Sequence, residues 1–186
     1  MTRRNPNISI HSHSLAMIAE PERIRAARRG EIMHAALGAL GARSSLREPE
    51  APGTTHKIDT ARLERAVAAA FAALGVDPKG WKLTDEFLNP LSKAFTLPQF
   101  ARWFGESTRS LEEAEIVDAG GEVYRPDRVV MGDDRIEVID FKVGRREQGH
   151  VDQVRGYMSL LQAIFDKTRV AGYIVYLDEP AVVEVT

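Results

Sequence analysis

A chain of 186 residues, 44% apolar and 28% charged, is long enough for one domain with a sizeable core. Its formal net charge of −2 argues against a protein that coats nucleic acid generally, but leaves room for an enzyme that touches a few phosphates. The absence of cysteine excludes disulfides, thiolate–zinc sites and cysteine-ligated iron–sulfur clusters. No apolar run nears the roughly 18 residues a membrane span needs, and the start lacks a signal-peptide core, so the expected location is cytoplasmic.

Residues 1–22 are polar, contain Pro6 and Pro21, and read as a loosely held arm before a domain over 23–186. Ile24 to Leu40 predicts a helix stopped by Gly41, with Met33, Ala36, Leu37 and Leu40 on one face. Arg43 to Lys57 is rich in Ser, Pro, Gly and Thr and predicts a long loop. Asp59 or Thr60 is placed to cap a second helix that runs to Leu74 and stops at Gly75. Thr84 is a candidate cap for a further short helix, and Pro90 and Pro98 break the stretch up to Gly105 into brief segments. This helical region spans 23–105, and a sheet-bearing core follows over 106–186.

Strands are predicted over Glu113–Val117, Glu122–Met131 and Arg135–Lys142, joined by short glycine-containing turns as an antiparallel meander. Pro126 cannot donate to a ladder, which marks a strand start, an edge or a bulge just before Asp127. Gln148 to Phe165 predicts a helix with Val151, Val154, Met158, Leu161 and Phe165 on its apolar stripe. Val170–Leu177 and Ala181–Val185 supply the last strands. The order predicts an α+β protein with helices around a mixed sheet.

The chemistry concentrates at Arg125-Pro126-Asp127-Arg128 and Asp140-Phe141-Lys142. Residues two apart on a strand share a face, so Asp140 and Lys142 project together, and Asp127 joins them if the two strands pair. Two carboxylates about 5 Å apart at an effective dielectric near 20 repel by roughly 3 kcal/mol, a cost that a divalent cation reverses. Oxygen ligands select Mg2+ or Mn2+, and the Phe141 carbonyl adds another oxygen. The bland alternative is a surface ion-pair cluster on an edge strand. Gln153 and Tyr157, four apart on the following helix, share the margin between its apolar and solvent faces. His34 flanks the apolar stripe of the first helix in the same way. His11-x-His13, Arg3-Arg4, the basic stretch Arg23 to Arg29 and Arg145-Arg146 are weaker signals.

Taken in order, Arg29-Gly30-x-x-x-His34, Glu113, Arg-Pro-Asp127-Arg, Ile-Asp140-Phe-Lys142 and Gln153-x-x-x-Tyr157 resemble the PD-(D/E)XK nuclease fold. More narrowly, the set is similar to the nuclease domain that ends UvrD/Rep-type helicase–nucleases of the AddA and RecB kind. The resemblance spans roughly residues 24 to 178. It implies a restriction-endonuclease-like fold, a central mixed sheet flanked by helices, here with an N-terminal helical elaboration. It also implies metal-dependent, exonuclease-type cleavage of DNA in double-strand break repair and recombination, by a nucleoid-associated protein. By motif, His34, Asp127, Asp140 and the Phe141 carbonyl are the implied ligands of Mg2+ or Mn2+. Lys142 is the implied catalytic lysine, and Gln153 and Tyr157 support it. Glu113 best fits the upstream acidic position, with Glu112 and Glu115 as neighbouring alternatives. AddB and Cas4 relatives hold an iron–sulfur cluster through cysteines, which this chain lacks. No G-x-x-x-x-G-K-[ST] phosphate loop is present. The expected partners are therefore DNA, a helicase motor upstream in a longer protein, and a companion subunit. The rival expectations are a nuclease-derived binding module that no longer cuts and a free-standing repair or defence nuclease.

Overall fold

The computed structural model describes residues 21–42, 58–105 and 108–186. The arm up to residue 20, with Arg3, Arg4, His11 and His13, and the loop predicted over Arg43–Lys57 lie outside the described residues.

Two long helices open the structure: α1 (Pro21–Ala42) and α2 (Thr60–Ala73). Asp59 caps α2 by accepting a hydrogen bond from the Ala61 amide at 3.1 Å, as its place before an alanine-rich run predicts. Gly75, at φ 62°, ends it, and the Val76 amide returns to the Phe71 carbonyl at 3.0 Å. Gly41 does not stop α1, which continues to Ala42. Its role is close approach: a Cβ there would land on the ion pair between Arg128 and Glu112. Thr84 likewise does not cap a helix. It opens a π-helical turn (Thr84–Leu88), and the start of that turn is held by Glu86, whose carboxylate accepts from the Lys82 amide at 2.8 Å. The turn runs directly into α3 (Asn89–Ala94), and α4 (Pro98–Trp103) follows.

Of the predicted first strand, Ile116–Val117 is a strand, β2; a further strand, β1 (Ser110–Glu112), precedes it, and Glu113 at φ 46° turns the chain after β1. The second divides, into β3 (Val123–Tyr124) and β4 (Arg128–Met131), because Arg125-Pro126-Asp127 leaves the ladder. Pro126 thus marks a strand start. The remaining elements are β5 (Arg135–Lys142), α5 (Gln148–Ile164), β6 (Arg169–Tyr176) and β7 (Ala181–Val185). β2 and β3 form a separate antiparallel hairpin, while the main sheet has the order β1-β4-β5-β6-β7. Only β5 and β6 run parallel, with α5 as their crossover.

Helices cover both faces of this sheet. Ile139, Phe141, Tyr173 and Val175 face a core built by α1, α2, α3 and α4. Ile136, Val138, Ile174 and Tyr176 face Val154, Tyr157 and Leu161 of α5. β5 is therefore buried on both sides, the expected state of a central strand with helices above and below. Glu137, an acid in this strand, is satisfied: it accepts from Arg102 at 2.8 Å and Trp103 Nε1 at 2.9 Å, and Arg135 lies at 2.6 Å.

Gly172 in β6 lets α5 approach the sheet. A Cβ there would sit 2.6 Å from Val154 Cγ1 and would also collide with Met158. Gly172→Ala is expected to push α5 outward and cost about 1–3 kcal/mol in a urea melt, the usual penalty of overpacking. Any function that depends on Gln153 and Tyr157, which α5 carries, should fall with it.

Candidate active site

The site sits at the C-terminal end of β5 and is assembled around the peptide groups of Phe141. Asp127 immediately precedes β4, and pairing of Arg128 with Ile139 brings it beside Asp140. Because Asp127 has left the ladder, its side chain takes over a backbone partner: Oδ2 accepts from the Phe141 amide at 2.6 Å. His34 on α1 places Nε2 2.8 Å from the Phe141 carbonyl oxygen and 3.8 Å from Asp127 Oδ2. Arg29, one and a half turns earlier, fixes that stretch of α1. It donates to the Glu86 carbonyl at 3.0 Å and pairs with Asp178 at 2.6 Å, and Asp178 also accepts from the Gly144 amide at 2.8 Å.

Asp140 and Lys142 share the α5-facing side of β5. Asp140 is 2% exposed. Lys142 Nζ lies 2.7 Å from Asp140 Oδ2, yet the approach is off the hydrogen-bond direction, so Oδ2 is a buried oxygen with no donor. Lys142 instead donates to Gln153 Oε1 at 2.8 Å, Gln153 Nε2 donates to the Tyr157 hydroxyl at 2.7 Å, and that hydroxyl donates to the Arg125 carbonyl at 3.3 Å. The relay thus links the helix to the segment that presents Asp127. Tyr157 is buried nearer the core than its place on the margin of the stripe suggests, while Gln153 stays exposed.

Burial pushes the Asp127 carboxyl up to about 6, helped by Asp140 and opposed by His34, the Phe141 amide and Lys142. Burial also raises the Tyr157 hydroxyl, which keeps it a donor at any working pH. Tyr157→Phe removes both its bonds. It should lower kcat about three- to tenfold, and stability by about 1 kcal/mol, in steady-state assays and thermal melts.

Glu113 is the candidate the structure does not bring into this cluster. Its amide donates to the Asp127 carbonyl at 3.0 Å, but its side chain is exposed and no hydrogen bond or ion pair joins it to a described residue of the site. Its neighbours are engaged elsewhere, Glu112 with buried Arg128 and Glu115 with Arg125 at 2.5 Å. The basic stretch of α1 is also engaged, through Arg25–Glu86, Arg28–Glu31 and Arg29–Asp178 pairs.

A residue that the motif spacing missed is His150, in the first turn of α5. Its pKa is lowered by burial and then by Lys142, and its Nδ1 lies 3.4 Å from the Tyr176 hydroxyl. The pairing of Lys142 with Tyr176 across β5 and β6 brings it close, a relation that only strand register reveals.

Among the described residues, no three His, Cys, Asp or Glu side chains are arranged to hold a metal ion by themselves. The donors that fit a hard cation are two carboxylates and one carbonyl: Asp127, Asp140 with its unpartnered Oδ2, and Phe141. His34 already contacts that carbonyl.

A five-stranded mixed sheet flanked by helices, with this cluster at the end of its central strand, defines an α+β protein of restriction-endonuclease-like architecture. The chain belongs to the PD-(D/E)XK nuclease superfamily, whose sequence pattern matches residues 11–185, and membership implies a metal-dependent nuclease. No curated protein sequence matches it. A solved structure titled "Crystal structure of SSO0001" is similar over 88% of this chain and 78% of that one, at 17% identity and a TM-score of 0.32, which is too low to carry an argument. Among the described residues no helix is long and apolar enough to cross a membrane.

Proposed function

We propose that the protein is a Mg2+- or Mn2+-dependent deoxyribonuclease that hydrolyses phosphodiester bonds without a covalent intermediate. The observation that carries this reading is the buried Oδ2 of Asp140, which accepts no hydrogen bond, beside a second, partly buried acid, Asp127. Lys142 offsets part of this charge from 2.7 Å, and a divalent cation held between the carboxylates would offset the rest. Asp127, Asp140 and the Phe141 carbonyl would hold the ion, with His34 as the adjoining donor. When bound, the ion supplies charge neutralisation between the acids and Lewis acidity at a phosphoryl oxygen.

The chain's own groups do the rest. Gln153 holds the Lys142 ammonium beside Asp140, leaving N–H groups free to bind a phosphate oxygen and stabilise the charge that develops there. Tyr157 fixes the Gln153 amide, so Lys142 is positioned by Gln153 on one side and by the charge of Asp140 on the other. Asp127 holds the Phe141 amide while His34 contacts the Phe141 carbonyl, so the backbone on both sides of Phe141 is fixed.

The narrower reading is an exonuclease module of an AddA- or RecB-like helicase–nuclease, acting in double-strand break repair with an upstream motor and a companion subunit. It is supported by the ordered set His34, Asp127, Asp140, Lys142, Gln153 and Tyr157. Incubation of the purified protein with linear single- and double-stranded DNA tests the general reading. Cleavage with Mn2+ that stops in EDTA is expected, and inert protein on both substrates would refute it. An encoding gene that continues upstream into helicase motifs is the outcome the narrower reading requires.

A further inference from the structure

We infer that the groove between the β2–β3 hairpin and α5 is the track for one unpaired nucleic-acid strand, with the nucleotide next to the scissile phosphate lying over Gly156. This rests on the nuclease reading above. The groove is about 530 Å3, walled on the hairpin side by Val123, Tyr124 and Arg125 and on the helix side by Gln153, Gly156 and Tyr157. It is continuous with the catalytic cluster, because Gln153 and Tyr157 form both its wall and the relay to Lys142. The Tyr157 hydroxyl donates to the Arg125 carbonyl at 3.3 Å and ties the two walls together.

Gly156 lies in the interior of α5, where glycine is among the poorest helix formers. Packing does not require it, since a Cβ there, as at Gly30 and Gly38 of α1, would meet no atom within 4 Å; what sets Gly156 apart is its place in the groove wall. Gly172 is the contrast: its Cβ would strike Met158 and Val154. Gly156 instead keeps the floor of the groove low.

The lining selects the occupant. Val123 is 51% exposed and pairs across the hairpin with Val117, 59% exposed, so the lip is apolar, and Tyr124 adds an aromatic ring. The cation in the wall, Arg125, is paired with Glu115, and the acid Asp152 lies 3.9 Å from Arg155, so the wall carries little net charge. That charge balance is poor for a duplex, whose backbones are bound through several lysines and arginines. An apolar and aromatic wall suits the exposed bases of a single strand.

Gly156→Gln tests this with readouts of opposite sign. Its melting temperature should rise by roughly 2–4 °C, because a good helix former replaces glycine in open space. Its affinity for a short fluorescein-labelled oligothymidylate, measured by anisotropy in EDTA, should fall at least about tenfold. Binding of a blunt hairpin duplex should change far less. A drop in melting temperature, unchanged oligothymidylate binding, no oligothymidylate binding by the wild type, or an equal loss on the duplex would each overturn the inference. Wild-type protein that binds oligothymidylate but cuts no DNA with Mn2+ overturns the nuclease reading instead. A wild type that cuts, beside a Gly156→Gln variant that binds as wild type does, overturns the groove alone.

Discussion

Asp127→Asn is expected to be more stable than the wild type at pH 7.5 in the absence of divalent cations, and to lose nuclease activity. The cause is the partly buried Asp127 carboxyl, raised from 3.8 to about 6 by loss of solvent. An acid whose folded pKa lies above its unfolded value keeps its proton longer in the native state. Native protein therefore binds more protons between about pH 4 and pH 6, and stability falls as pH rises through that window. Above about pH 6 both states are ionised and the full cost, about 3 kcal/mol for a shift of about two units, is present. Asparagine removes the charge but keeps an oxygen for the Phe141 amide. A gain of up to about 3 kcal/mol at pH 7.5 corresponds to roughly 6–12 °C in melting temperature for a chain of this size. The gain should vanish by about pH 3, where the wild-type acid is protonated in both states. Added Mn2+ should raise the melting temperature of the wild type and leave the variant unchanged. A variant that melts below the wild type at pH 7.5 without cations would show that the paired acids are not a repulsive cluster.

Asp140→Asn carries the largest expected effect on catalysis, a loss of at least about a thousandfold in cleavage rate with the fold retained. Asp140 is buried at the end of β5, and its Oδ2 has a charge nearby but no donor. Asparagine is nearly isosteric, and Gln153 still holds Lys142, so the relay survives while the anionic oxygen is gone. Circular dichroism and a thermal melt establish that the variant is folded, and cleavage of labelled DNA with Mn2+ measures the loss. Retention of more than about a tenth of the wild-type rate would remove Asp140 from the chemistry.

Much of the site was legible because its residues follow strand and helix periodicity. Asp140 and Lys142 share a face by alternation, Gln153 and Tyr157 by the helical repeat, and Pro126 announces the break that frees Asp127. What was hidden depends on tertiary contacts. Gly41 reads as a helix stop, but α1 runs through it because the Arg128–Glu112 pair needs the missing Cβ. Arg128 reads as a charged strand residue, yet it is fully buried, donating to the Trp103 carbonyl at 2.6 Å and lying over Phe104. The π-helical turn at Thr84–Leu88 has no periodic signature that separates it from a short α-helix. Glu113 matches the motif spacing, but its positive φ turns the chain between β1 and β2 and leaves the side chain outside. His150 carries no pattern at all, since its neighbour Tyr176 is distant in sequence and near only through the parallel pairing of β5 and β6.

Calorimetric titration of Mn2+ into the metal-free protein at pH 7.5, alongside Asp140→Asn, tests the central claim most directly. A cation site built from Asp127, Asp140 and the Phe141 carbonyl predicts saturable binding heat in the wild type and its loss in the variant. Absence of binding heat in the wild type, or the same isotherm in both proteins, would contradict it.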